Sequence, residues 1–151
     1  MSRIVLRPAR LGDVPAIVNL AVESVSRDPL PLRIDREAMA DTAETLIAGN
    51  QHFAWVAEQD GVVVAAVGAC AQPGFWFERL QASVLMFYSR APGAGIGLLR
   101  EFAKWVKSRP AIKVATFSLE PNMDPRIGKM LARLGFTLQT PSFTYIRGLK
   151  G

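Results

Sequence analysis

"SRAPGAGIGLLREF", residues 89–102, places Gly93, Gly95 and Gly97 at every second position and then runs on into leucines. Just before it, "RLQASVLMFYS" over 79–89 is apolar on both faces near its end, the pattern of a central strand covered on both sides. After it, Ile96, Leu99, Phe102, Ala103 and Val106 recur with helical period until Pro110 stops the run. The glycines therefore mark a corner where a strand becomes a helix. Such a corner leaves main-chain N–H groups unpaired at the positive end of the helix dipole, which makes an anion site. Glycine also lets a ligand come within contact distance of the backbone. Close helix–sheet packing is the competing reading, but three alternating glycines exceed what a tight turn needs.

Two common phosphate ligands fail on spacing. A nucleoside-triphosphate loop needs G-x-x-x-x-G-K-[ST], and here Gly97 is followed by Leu98 and Leu99. A dinucleotide fingerprint needs a third glycine where Leu98 stands, and it belongs to a first strand–helix–strand unit. The corner lies past mid-chain instead.

Outward from the corner, "RIVLR" at 3–7 reads as a strand, and Asp13 with Pro15 opens a helix carrying Val14, Ile17, Val18, Ala21 and Val25. "RDPLPL" ends it, since two prolines cannot continue a helix. Asp35 caps a second helix, which Gly49-Asn50 terminates. "HFAWVAEQ" and "VVVAAVGACA" flank Asp60-Gly61, a strong two-residue hairpin signal. "AIKVATFSL" is a further strand, and Asp124-Pro125 opens a last helix that ends at Gly135. "FTLQT" and "FTYIR" read as a closing pair of strands. The predicted order is β-α-α-β-β-β-α-β-α-β-β. It describes an α+β, three-layer αβα domain with a mixed, mostly antiparallel sheet and helices on both faces, spanning 1–151 as one unit.

Half of the residues are hydrophobic and 21% are charged, so the chain reads as globular. No apolar run reaches a membrane span, and the N-terminus has no signal-peptide pattern. A lone Cys70 and a lone His52 exclude an internal disulfide and a soft-ligand zinc site, so no metal is expected and a reducing cytoplasm fits. The net charge of +5 comes from scattered lysines and arginines rather than a basic arm, which argues against nucleic acid as a partner.

With these residues in view, the chain resembles the GNAT family of acetyl-CoA-dependent N-acyltransferases. The family signature [Q/R]-x-x-G-x-[G/A] corresponds to Pro92-Gly93-Ala94-Gly95-Ile96-Gly97, at the junction of the fourth strand and third helix. "IVLRPARLGDVPAIVNL" is similar to the family's opening strand and helix. "DPRIGKMLARLGF" resembles its fourth helix with the closing Gly-Phe pair. The resemblance covers essentially the whole chain and implies a GNAT-like fold. It further implies that acetyl-CoA is the co-substrate, that an amine is the acceptor, and that the acetyl group passes directly between them without a covalent enzyme intermediate.

The resemblance also implies site residues. The amides of Gly93 to Gly97, including Ala94 and Ile96, would bind the CoA pyrophosphate. The strand ending near Tyr88 would part from its neighbour to admit the pantetheine arm, and the Tyr88 N–H would stabilise the thioester oxygen. Pro92 replaces the usual Gln or Arg at the head of the motif, with Arg90 as the substitute phosphate contact. Asp124 falls where the family often has Asn, and Leu131 falls where it often has the Tyr that protonates the thiolate. Tyr145 and Ser118 are alternative acids; Glu120 and Glu78 are the candidate bases, with His52 a weaker one. Cys70 reads as core. The "PGFWFERL" loop, with Phe75, Trp76 and Phe77, reads as acceptor lining, subunit contact or core. A CoA-binding module without turnover is the rival function, and a homodimer is compatible with the sequence.

Overall fold

The computed structural model describes residues 3–27, 30–121 and 123–150. Five strands form one sheet in chain order: β1 (Ile4–Pro8), β2 (Phe53–Gln59), β3 (Val62–Pro73), β4 (Leu80–Ser89) and β5 (Ile112–Thr116). The first four are antiparallel neighbours, and β5 lies parallel to β4. Helices α1 (Val14–Ser26) and α2 (Arg36–Ala48) separate β1 from β2. Helix α3 (Pro92–Ser108) makes the β4–β5 crossover, and α4 (Arg126–Arg133) follows β5.

Local chemistry explains these boundaries. Asp60 and Gly61 both have positive φ, 52° and 81°, which a two-residue turn matched to strand twist requires. The Asp35 carboxylate accepts the Ala38 N–H at 2.9 Å and caps α2. At the end of α4, Gly135 takes φ 106° while the Phe136 N–H returns to the Leu131 carbonyl at 2.9 Å. Helix α1 stops at Ser26, and Asp28 and Pro29 of the proposed break lie outside the described residues.

Alternation along the strands fills both faces of the sheet. Val56, Ala66 and Tyr88 pack with Leu20 of α1. Their neighbours Ala57, Ala65, Val67 and Phe87 turn the other way, onto Leu98, Leu99 and Phe102 of α3 and Leu131 of α4. The result is the expected three-layer α+β architecture with helices on both faces.

The closing strands are not formed. β5 is shorter than its sequence pattern, and residues 134–150 contain no strand. Leu138, Phe143 and Tyr145 stand 85%, 98% and 78% exposed. Alternation specifies a strand only when a sheet edge accepts it, and here the outer edge of β5 is left unpaired.

One ion-pair cluster fixes the entry to α1. Arg7 on β1 bonds the Asp13 carboxylate through both terminal nitrogens, at 2.7 and 2.8 Å, and reaches Glu58 on β2 with Nε at 2.9 Å. Asp13 also accepts the Arg10 N–H at 2.7 Å. The role as a side-chain cap expected for Asp13 is thus replaced by a tie between β1, β2 and the first turn. The Arg7 guanidinium holds the Asp13 carboxyl below the ordinary aspartate value. A depressed carboxylate contributes stability above its unfolded pKa and loses it as pH falls through the folded one. Unfolding free energy measured against pH in urea is therefore expected to fall on the acid side for the native chain and to fall less steeply for Asp13→Asn; equal acid limbs would refute the tie.

Candidate active site

The parallel pairing of β4 with β5 begins at Leu80–Ile112 and ends at Ser83–Thr116. Residues 84–89 of β4 have no strand on that side. A bulge sits where the strands separate: Ala69 faces Val84 and Gly68 faces Met86, so Leu85 is the extra residue. A bulge bends and twists the strand that carries it, which turns β4 away from β5. Phe117, just beyond β5, packs edge-to-face on Phe87 with centroids 5.4 Å apart and floors the gap on the α3 side.

The ladder with β3 decides which β4 amides face this gap. The Arg90 N–H donates to the Val64 carbonyl at 2.9 Å. Tyr88 opposes Ala66, two residues back in register, and so belongs to the same class of hydrogen-bonded pair. The Tyr88 N–H therefore points into β3. It cannot serve as the oxyanion donor that the family resemblance implied. The amides of Phe87 and Ser89, one residue out of phase, point into the gap instead.

The glycines divide their work. Gly95 is buried, and a Cβ there would meet Ser89 Cβ at 3.1 Å and a Phe87 ring carbon at 3.3 Å. A Cβ on Gly97 would meet a Leu6 methyl at 2.7 Å. Both allow α3 to sit close on the sheet, which corrects the expectation of a continuous phosphate cradle. Gly93 alone is exposed, and its N–H has no partner among the described residues. The Ala94 and Gly95 N–H groups turn back to the Ala91 carbonyl at 3.0 and 3.3 Å, and Pro92, first in the helix, has no N–H. Ile96 is partly exposed and lines the cleft described below.

Arg90 is not a free phosphate ligand. Its guanidinium grips Glu23 Oε2 at 2.6 and 2.9 Å, while the Tyr88 hydroxyl donates to Glu23 Oε1 at 2.8 Å. Arg27 lies 4.9 Å from the Tyr88 ring centre. The Arg90 contact, and secondarily the Tyr88 hydroxyl, hold Glu23 below the usual carboxylate range. Burial, helped by Glu23, pushes the Tyr88 phenol up. Sequence reasoning missed Glu23, because a glutamate on a helix with Arg27 four residues on reads as a solvated pair.

These elements enclose a cleft of about 1570 Å³ between α1, α2 and β4 on one side and α3, α4 and residues 117–121, 123 and 124 on the other. Glu120 and Ser118 line it, both exposed. Asp124 lines it too, but its carboxylate takes the Arg126 N–H at 2.9 Å and the Arg126 guanidinium at 2.6 Å, and Arg126 holds it below the usual value. Glu78 is excluded as a base. It sits in the bend before β4, beyond the end of the strand opposite the gap, and it does not line the cleft. Phe75, Trp76 and Phe77 share that remote end, 75%, 89% and 60% exposed, which removes them from the core and from the acceptor lining. Leu131 is buried core. Tyr145 lies outside the cleft lining. His52 accepts the Ala71 N–H at 3.1 Å through Nδ1, a structural contact, and Cys70 is half-buried in β3. No group of metal-ligating side chains occurs among the described residues, and none of their helices is long and apolar enough to cross a membrane.

The Glu23–Tyr88 contact has a spectroscopic consequence. With Tyr145→Phe leaving a single phenol, ultraviolet titration is expected to show ionisation above the ordinary tyrosine value. Adding Glu23→Ala brings it part of the way back, since burial remains; no movement would mean that the hydrogen bond is absent in solution.

No family model matches the chain, and no curated protein matches it in sequence. Solved structures do match over nearly its whole length. A predicted acetyltransferase from Clostridium acetobutylicum, with acetyl-CoA, aligns at TM-score 0.73 and 16% identity over 96% of each chain. A transcriptional regulator from Bacillus halodurans aligns at 0.70 and 15%, over 95% of this chain and 99% of that one. An aminoglycoside acetyltransferase from an uncultured soil sample, in complex with sisomicin, aligns at 0.66 and 14% over 97% of each. The five-stranded sheet with its parted β4 and β5 thus has the GNAT acyltransferase fold.

Proposed function

We propose that the chain transfers an acetyl group from acetyl-CoA to a primary amine by direct attack in a ternary complex. One observation carries this reading: the unpaired edge of β4, from the Leu85 bulge to Ser89, leads straight to the free Gly93 amide at the start of α3. The pantetheine arm pairs with the Phe87 main chain as an added strand would, and the pyrophosphate takes the Gly93 N–H and the α3 dipole. With Arg90 and Arg126 already paired, Lys129 and Arg133 of α4 supply the counter-charge for the CoA phosphates. Both line the cleft and have no ion-pair partner among the described residues.

The amine nitrogen attacks the thioester carbonyl carbon, and the C–S bond breaks to release CoA. Glu120 takes the amine proton, directly or through water, as the one carboxylate lining the cleft without an ion-pair partner among the described residues. Leu131 offers no acid and the Tyr88 hydroxyl is committed to Glu23, so the thiolate is protonated by Ser118 or solvent.

Leu131 and Pro92 also support a second reading, a CoA-binding module that does not turn over. The likeness to a transcriptional regulator shows that the fold occurs among proteins described otherwise than as acetyltransferases. Calorimetry with acetyl-CoA, ATP and NADH, followed by CoA release against an amine panel, separates the readings. Acetyl-CoA alone is expected to bind, and CoA to be released. Binding without release favours the module, and no binding refutes both. Glu120→Gln is expected to lower kcat/KM about a hundredfold while leaving acetyl-CoA affinity unchanged. Lys129→Ala with Arg133→Ala is expected to weaken that affinity about tenfold, as lost charge-assisted contacts do.

A further inference from the structure

Resting on the transfer reading, we infer that the acceptor is a monoamine with an apolar body and not a polycation such as a polyamine or aminoglycoside. The argument is the chemistry of the acceptor wall. On the α1–α2 side of the gap the cleft is lined by Ala21 and Val25 of α1, Met39 of α2, and Leu85 and Met86 of β4. Leu85 and Val25 are 54% and 44% exposed, so these side chains offer apolar surface that an acceptor's carbon skeleton would cover.

The charges point the same way. Among the described residues five cationic side chains line the cleft, Arg27, Arg90, Arg126, Lys129 and Arg133, against two carboxylates, Glu120 and Asp124. Asp124 is spent on Arg126. Glu23, which stands next to the lining through Tyr88 and Arg90, is spent on both of them. Among the described residues Glu120 therefore remains as the single uncommitted carboxylate lining the cleft, and the reacting ammonium needs it. A second or third ammonium on the acceptor would find no free carboxylate among the described residues and would face Arg27. An unpaired charge in a partly desolvated site is costly, whereas an apolar substituent gains from the wall.

The test compares acceptors on the native chain, with CoA release and product mass as readouts. The kcat/KM for 2-phenylethylamine is expected to exceed that for spermidine and for kanamycin by about ten- to hundredfold, the range that burying one apolar side-chain equivalent supplies. Val25→Glu, at an exposed helix position, adds a carboxylate to the wall and is expected to narrow that ratio by raising the spermidine rate. Equal or faster acetylation of spermidine or kanamycin overturns the inference. So does acetylation of other amines in the panel but not of 2-phenylethylamine. Binding of acetyl-CoA with no CoA release against any amine, or no binding at all, instead removes the transfer reading beneath the inference, which calorimetry and the panel show separately.

Discussion

β4 and β5 share hydrogen bonds only as far as Ser83 and Thr116, and the rest of the site follows from that early separation. Had the two strands paired to their ends, the amides of Phe87 and Ser89 would be consumed within the sheet. The bulge at Leu85 prevents this by bending β4 out of line, while the β3 ladder holds its other edge in register through Arg90. A strand paired on one edge and open on the other presents main-chain donors and acceptors that, in the free chain, only water satisfies. The pairing it lacks is what an extended ligand with amide groups of its own provides.

Electrostatics around this gap is arranged by pairing more than by excess charge. The net charge of +5 says little, because two of the cleft cations are already paired. Arg90 holds Glu23, and Arg126 holds Asp124. What remains among the described residues is a cationic pair on α4, Lys129 and Arg133, the carboxylate of Glu120, and a mostly apolar lining from α1 and α2 that ends at Arg27. In the proposed transfer reading, that asymmetry separates the phosphate-bearing substrate from the apolar one within a single cleft. It also makes the fold likeness to an aminoglycoside acetyltransferase a poor guide to the acceptor, since the walls of that fold are free to change while its sheet is kept.

Features set by local chemistry were legible in the sequence. The Asp60-Gly61 turn, the Asp35 cap, the Gly135 terminus and the glycine corner each depend on a few adjacent residues with special φ/ψ or hydrogen-bonding capacity. Features set by register were not. Which of Tyr88 and Phe87 turns its amide to the gap depends on how β4 is phased against β3, and a one-residue slip reverses it. The Glu23–Tyr88 bond joins residues 65 apart in the chain, and no spacing rule foretells it. The alternation in "FTLQT" and "FTYIR" promised two strands, yet no free edge received them. Of the glycine stretch, the first member presents an unpaired amide, and the other two serve the packing of α3 on Leu6, Phe87 and Ser89.

Residue-resolved amide hydrogen exchange, recorded by NMR with and without acetyl-CoA, tests the central claim most directly. Phe87, Ser89 and Gly93 are predicted to exchange readily in the free chain and to slow on addition of acetyl-CoA, while Tyr88, already bonded within the sheet, stays slow in both. Protection of Tyr88 gained only with the ligand, or unchanged exchange at Phe87 in a saturated complex, would contradict the assignment of this strand edge as the binding site.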